Sequence, residues 1–188
     1  AALVTNLEDL RDGGVLVINK DAFDKKGLEQ AGYKTNPLED GSLKGYKVVR
    51  VPVTKMTREA VTECKLSPRE ADRCKNFFAL GLVYWMYERS LDVTLKWIKE
   101  KFGKNPAVLD ANTKALKAGY NYGETVEVMP VQYKVAKANI TPGTYRKIMG
   151  NDALALGLVA AAHSLEKTLV FSGYPITPAS SVLEASRT

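Results

Sequence analysis

Asp12-Gly-Gly-Val-Leu-Val-Ile-Asn19 carries the first decision about the fold. Asp12-Gly-Gly14 reads as a turn, and Val15-Leu-Val-Ile18 as a short strand ending at Asn19, since a bounded apolar run rich in β-branched residues suits a pleated surface. The run is apolar at consecutive positions rather than alternating, the pattern of a strand covered on both faces. Before the turn, Leu7 to Leu10 reads as the end of a helix. After it, Lys47-Val-Val-Arg-Val-Pro-Val53 is the next strand, with Pro52 near its end, and Thr57-Arg-Glu-Ala-Val61 opens a helical stretch. Helices alternating with apolar strands place the chain in the α/β class.

Ser67-Pro-Arg-Glu70 is a helix start. Ser67 caps, Pro68 suits the first turn, and Glu70 reaches back to the Ser67 amide in a capping box, so a long helix is expected to follow. Its stretch Phe77 to Tyr87 is apolar all round and therefore needs cover on more than one side. That cover is either a subunit interface or the interior of an ordinary central helix. Leu91, Leu95, Ile98 and Phe102 recur at helical spacing up to Gly103, and Pro106 to Ala118 forms a further helix with Gly119 at its C′ position. Residues 67–119 then make a helical layer, in which Asn112 and Tyr120 are open to capping, packing or a partner contact.

Residues 120–144 change character: Asn121, Gly123, Met129-Pro130, polar Lys134 to Asn139, and Thr141-Pro-Gly143. The linker is placed at 126–144, between a first domain at 1–125 and a second at 145–188. The second domain starts with Arg146 to Met149, and Asn151 serves as cap of a small-residue helix over Asp152 to Leu165. Small residues along one face allow close approach of a strand or another helix. Thr168-Leu-Val-Phe171 is then read as a strand. His163, near the helix C-terminus, has a favourable place for a cation and no identifiable catalytic partner.

Gly173-Tyr-Pro-Ile-Thr-Pro-Ala-Ser-Ser181 is the segment whose chemistry stands out. Each proline fixes its own φ and pushes the residue before it out of the helical region, which holds Tyr174 and Thr177 extended. The Thr177 hydroxyl thus sits on a stiff backbone, and a group already in place loses little entropy when a ligand arrives. The order helix, strand, turn, helix places Thr177 beyond the carboxyl end of a strand, where open α/β sheets bind ligands. Ser180 or Ser181 is positioned to cap the helix that follows, whose N-terminus suits an anion. A tight loop with rigidifying prolines accounts for the same composition.

Composition excludes several classes. At 188 residues, 45% hydrophobic and 26% charged, the chain has a globular balance and length for one domain or parts of two. No apolar stretch approaches the ~20 residues that span a bilayer, and the start carries no signal-peptide pattern, so a cytoplasmic location without membrane contact is expected. Cys64 and Cys74, ten apart and without a nearby histidine, make neither a zinc nor an iron–sulfur site by themselves, so no metal is assigned to this chain. The net charge of +6 is spread over Lys44, Lys47, Arg50, Lys55, Arg58 and onward through Lys75, a solvated basic face. Nucleic acid calls for a denser stripe with interleaved aromatics and is not expected as a partner; an acidic protein suits this face better. Neither a Gly-x-Gly-x-x-Gly nor a P-loop pattern occurs, so no complete dinucleotide or P-loop site is encoded here. The start at Ala1-Ala-Leu-Val4 and the stop at Ser186-Arg-Thr188, within a helical pattern, give the expectation of a piece of a longer polypeptide.

Two motifs together resemble a known family. Ile148-Met-Gly-Asn-Asp-Ala-Leu-Ala-Leu-Gly-Leu-Val-Ala-Ala-Ala162, followed by Tyr174-Pro-Ile-Thr-Pro-Ala-Ser180, resembles the α subunit of 2-oxoacid:ferredoxin (acceptor) oxidoreductases. Upstream, Gly13-Gly-Val-Leu-Val17, Lys75-Asn-Phe-Phe-Ala-Leu-Gly81 and Asn112-Thr-Lys-Ala-Leu-Lys-Ala-Gly-Tyr120 resemble the γ domain of the same enzymes, in the same order. The arrangement is similar to the γ–α fusion of 2-oxoglutarate-type members. The resemblance implies a partial Rossmann-like γ domain followed by the start of a thiamine-diphosphate pyrimidine-binding α/β domain. It implies oxidative decarboxylation of a 2-oxoacid, 2-oxoglutarate first among candidates, to an acyl-CoA, with ferredoxin or a similar acceptor taking the electrons.

By the same resemblance, Tyr174, Pro175, Ile176 and Pro178 lie against the cofactor, and Thr177 is both the substrate-binding and the catalytic residue, donating a hydrogen bond to the oxoacid. Ala179 stands where many relatives carry serine. Thiamine diphosphate is shared with a β subunit, which holds Mg²⁺ and the iron–sulfur cluster, so the partners are that subunit, ferredoxin, CoA and the 2-oxoacid in a hetero-oligomer. The glutamate that activates the aminopyrimidine and the arginine for the substrate carboxylate are expected beyond Thr188, and the glycine-rich γ start before Ala1. A non-catalytic assembly module built on the helix from Phe77 to Tyr87 is the alternative. A nicotinamide dehydrogenase would need a glycine-rich fingerprint upstream of Ala1.

Overall fold

Val15–Asn19 forms strand β1 and Lys47–Val51 forms β2, paired parallel in the register Val15 with Lys47 through Asn19 with Val51. The structure, a computed structural model, describes residues 2–126, 132–174, 176–177 and 180–186. Helix α1 spans Ala2–Asn6 and runs into a 3-10 turn at Leu7–Asp9; Gly13, at φ +73°, makes the reversal into β1. Helix α2 is Lys25–Gln30, capped by Asp24, whose side chain accepts from the Gly27 amide. Two compact units divide the chain, Ala1–Ala136 and Lys137–Thr188.

The α/β reading holds in the first unit, as a mixed fold with a small parallel sheet. Cover on both faces of β1 does not: Ile18 is buried, but Val17 keeps 38% of its surface. The sheet has only two strands among the described residues, so β1 has neighbours on one side only. Helix α3, Val53–Ala60, begins four residues earlier than the sequence suggests. Pro52 ends the strand by removing a ladder donor, and the chain turns into the helix at once. Two side chains secure this junction: Asn19 Nδ2 donates to Thr54 Oγ1 at 3.0 Å, and the Lys55 amide donates to Asp21 Oδ2 at 2.9 Å.

The capping box at Ser67 and Glu70 forms as expected, and its hydrogen bonds hold the Glu70 carboxyl below the usual range. The long helix does not. It breaks at Cys74 into α4, Pro68–Arg73, and α5, Lys75–Met86. The break lets Cys74 point into a small cluster with Val61, Cys64, Ala71, Ala111 and Ala115, while Phe78, Leu82 and Met86 meet Val49, Val51 and Val53 from the sheet side. A bidentate ion pair, Arg58 Nε to Asp72 Oδ1 at 2.8 Å and Nη2 to Oδ2 at 3.0 Å, ties α3 to α4.

Helix α6 is Asp92–Phe102, with Thr94 and Ile98 buried and Tyr84 OH 2.8 Å from Thr94 Oγ1. Helix α7, Pro106–Val126, runs through Gly119 instead of ending there. Gly119 is a close-approach residue: a Cβ on it would lie 1.9 Å from the Phe78 carbonyl oxygen, and one on Gly81 would lie 2.0 Å from that of Leu116. Glycines facing each other bring the α5 and α7 backbones together, so α5 is a central helix between the sheet and α7 within its own unit. Asn112 is buried in the body of α7.

In the second unit, α8 spans Gly150–Ser164 and α9 spans Ser180–Ala185. Met149 is the N-cap of α8, and Asn151 lies in its first turn rather than at the cap. Thr168 to Phe171 form no strand: Val170 is 81% exposed, and no second strand of this unit offers the ladder that a strand requires. The small-residue face of α8 meets α9, not a strand, through Ala155 and Val182. Among the described residues no helix is long and apolar enough to cross a membrane, and no group of three or more potential metal ligands gathers.

Candidate functional site

The turn after α8 keeps its polar groups on the surface. Tyr174 and Ile176 are 81% and 59% exposed, and Thr177 is exposed as well. The Ile176 amide donates to the Tyr174 carbonyl at 2.8 Å, a tight turn consistent with restricted backbone at this point. Pro175, Pro178 and Ala179 lie outside the described residues. The Ser180 amide donates back to the Ile176 carbonyl at 3.2 Å, so the turn leads straight into α9. Ser180 and Ser181 are the first two residues of that helix, and its six residues make it too short for a strong terminal field.

One contact here escaped the sequence reading. Asn151 Nδ2 donates to Ser181 Oγ at 2.7 Å, which joins the start of α8 to the start of α9 and fixes the two ends of the motif pair. The signal was present in the 30-residue spacing of Asn151 and Ser181, but nothing local distinguishes a capping asparagine from a cross-helix donor. His163 is exposed in the last turn of α8, as its position suggested. Thr177 does not stand at the end of a formed strand, because 168–171 is not one.

The chemistry of Tyr174, Ile176 and Thr177 suits a planar heterocycle with an attached polar group: an aromatic face, an aliphatic side chain and one hydroxyl. It does not suit a diphosphate, for which cations or stacked amides are needed. The residues present therefore fit the pyrimidine end of thiamine diphosphate and leave its other end to different residues.

A second concavity lies in the first unit. A cavity of about 380 Å³ runs beside β1, lined by Leu3, Leu7, Leu16, Ile18, Phe23 and Leu28 among others, with no charged side chain in its wall. Such a wall offers nothing to a carboxylate or phosphate, since a buried charge needs a partner. The two thiols are equally unreactive. Burial raises the pKa of both, and the Cys64 thiol in addition donates to Asp110 Oδ2 at 3.3 Å, a carboxylate that Lys114 holds at 3.0 Å. A thiol kept protonated in an apolar cluster is neither nucleophile nor ready metal ligand.

Comparisons with known proteins agree with the motif pair. The family model described as pyruvate ferredoxin/flavodoxin oxidoreductase matches residues 1–122. The chain is 46% identical over 183 residues to the 2-oxoglutarate oxidoreductase subunit KorA of Mycobacterium tuberculosis (strain ATCC 25618 / H37Rv), covering 97% of this chain and 28% of that protein. In fold it matches 2-oxoglutarate:ferredoxin oxidoreductase from Magnetococcus marinus, solved with 2-oxoglutarate, coenzyme A and succinyl-CoA bound. The TM-score is 0.64 at 23% identity, over 98% of this chain and 28% of that one. The chain thus spans somewhat over a quarter of the length of either relative. With the family model matching most of the first unit and the curated relative aligned through the second, the chain belongs to the pyruvate ferredoxin/flavodoxin oxidoreductase family.

Proposed function

We infer that the chain is part of an enzyme that oxidatively decarboxylates a 2-oxoacid, 2-oxoglutarate first among candidates, to an acyl-CoA, and passes the electrons to ferredoxin or a similar acceptor. The observation that carries this is the 46% identity, sustained over 97% of the chain, to a 2-oxoglutarate oxidoreductase subunit. In this reading residues 1–125 belong to a Rossmann-like γ domain, 126–144 to a linker, and 145–188 to the start of a pyrimidine-binding α domain. Thiamine diphosphate, when bound, supplies the chemistry that cleaves the bond beside the 2-oxo carbon. A β subunit holds its diphosphate end with Mg²⁺ and carries the iron–sulfur cluster.

The chain's own residues have narrower tasks. Tyr174 and Ile176 give apolar contact to the heterocycle, with Pro175 and Pro178 holding the backbone between them. Thr177 donates its hydroxyl to the oxygen of the 2-oxoacid on which negative charge grows. Once water is excluded, a donor aimed at developing charge is worth a few kcal/mol of transition-state stabilisation. Exposure of all three side chains is what a composite site requires of its half: surfaces left open for cofactor, substrate and a second subunit.

The test is Thr177→Ala and Thr177→Ser in the complete enzyme. Turnover of 2-oxoacid is expected to fall by about 10²-fold in Thr177→Ala, the scale of losing one such donor, with assembly unchanged and much of the rate restored by serine. Unchanged kinetics in Thr177→Ala would remove this residue from the site. The assembly-module alternative is weaker, because Phe78, Leu82 and Met86 of α5 are already consumed by the sheet of their own unit.

A further inference from the structure

Two helices expose apolar side chains, and their surroundings differ. Around Leu154, Leu156, Leu158 and Val159 of α8 the neighbouring positions are alanine and glycine, so that surface has the composition of an interior. On α6 the exposed pair is Val93, 80% exposed, and Trp97, 43% exposed, one turn apart on a single face. They stand among Lys96, Lys99, Lys101 and Lys104, all exposed. Only Asp92 and Glu100 oppose these four lysines on the helix, and Asp92 is engaged by Ser90 Oγ at 2.6 Å. None of the four lysines is in an ion pair among the described residues. Lys101 Nζ lies 4.6 Å from the Trp97 ring centre, and that ring packs edge-on to Phe102 with centroids 6.0 Å apart. The indole is thus held in place by its neighbours while one face of it stays wet.

An apolar centre around a fixed tryptophan, rimmed by unpaired cations, is the anatomy of a protein-docking surface. Free lysines at the rim speed encounter with an acidic partner and weaken with salt, and a small wet contact of this kind suits a partner that must leave again after each turnover. Resting on the oxidoreductase reading above, we propose that the exposed face of α6, centred on Val93 and Trp97 and rimmed by Lys96 and Lys101, docks an acidic electron-carrier protein of the ferredoxin kind.

The experiment uses the complete enzyme with two variants, Trp97→Ala and the double substitution Lys96→Glu with Lys101→Glu. Activity is measured with an acidic ferredoxin and, separately, with methyl viologen, a small acceptor that needs no docking surface. Direct ferredoxin binding is measured in parallel by calorimetry. The expected result is a rise of about tenfold or more in KM and Kd for ferredoxin at low ionic strength in each variant, the loss of one anchor or of two steering charges. Raising the salt concentration is expected to erase the difference for the charge variant, and the viologen rate to stay as in the native enzyme, which certifies that the variants fold. An unaltered KM and Kd for ferredoxin with an intact viologen rate would overturn the proposal. So would native-specific retention of a single-stranded oligonucleotide that is lost in Trp97→Ala, since it would assign the face to nucleic acid. A native enzyme that oxidises no 2-oxoacid with either acceptor would instead sink the function above, while the binding measurement still decides the docking surface.

Discussion

The same five residues, Ala-Leu-Gly-Leu-Val, occur at 79–83 in α5 and at 155–159 in α8. In α5 the glycine and the second leucine are buried, and the glycine sits so close to α7 that a Cβ would meet the Leu116 carbonyl oxygen at 2.0 Å. In α8 only the alanine is buried, and a Cβ on the glycine would meet nothing within 4 Å. Local sequence makes both segments helical. What differs is the number of neighbours each unit supplies: β2, α6 and α7 around the first, α9 alone beside the second. Burial is therefore a property of the assembly in which a pentapeptide sits, and the α8 surface is shaped for neighbours that the two helices of its unit do not provide.

The sharpest way to break this comparison is to truncate the equivalent leucines. Leu82→Ala, at a site 2% exposed, is expected to cost about 2–5 kcal/mol, read from the urea midpoint of tryptophan fluorescence. Both tryptophans, Trp85 and Trp97, belong to the first unit and report on it alone. Leu158→Ala is expected to change stability by no more than about 0.5 kcal/mol in this chain, and a loss as large as that of Leu82→Ala would mean that α8 is packed after all.

Equivalent glycines give a change of sign. Gly81→Ala must force α5 and α7 apart, and its cost is about 1–3 kcal/mol. Gly157→Ala meets open space and removes backbone freedom from the unfolded chain, so helix content by circular dichroism should hold to higher temperature, a gain of about 0.5–1 kcal/mol. Equal effects at the two sites would erase the distinction between the units.

The smallest effect concerns pH. Hydrogen bonding to Arg58 lowers the Asp72 pKa below its ordinary carboxylate value. In that window the unfolded chain binds more protons than the folded one, so the contribution is present near neutral pH and is lost as pH falls below about 4. For so exposed a pair its size is at most about 1 kcal/mol. Asp72→Asn should lower the fluorescence midpoint at pH 7 and leave it nearly unchanged at pH 3.

How much of this was legible follows the range of the forces involved. The Ser67 capping box, the turn at Gly13 and both strands of the first unit could be read because each depends on a few adjacent residues. The break at Cys74 was missed because the local pattern is helical throughout, and only the demand to serve two separate clusters divides it. Gly119 read as a stop signal, since a helix-ending glycine and a helix-crossing glycine look alike until Gly81 is seen opposite. Thr168 to Phe171 has strand composition without a partner strand, and hydrogen bonding between distant segments is what composition leaves out. In the turn at Tyr174 to Thr177 the stiffness and the exposed hydroxyl were foreseen, but the bond from Asn151 to Ser181 was not.

Cys64 and Cys74 are the only thiols in the chain, both lie inside the first unit, and both are sealed from solvent at 6% and 2% exposure. Their silence makes them a clock. A maleimide or disulfide reagent added to the native protein can modify them only when that unit opens, so the labelling rate at low reagent reports how often the core around Ala111 and Ala115 comes apart. Two built-in tags of this kind let the lifetime of the first unit be followed in a crude mixture, without purification, fluorophore or engineered probe.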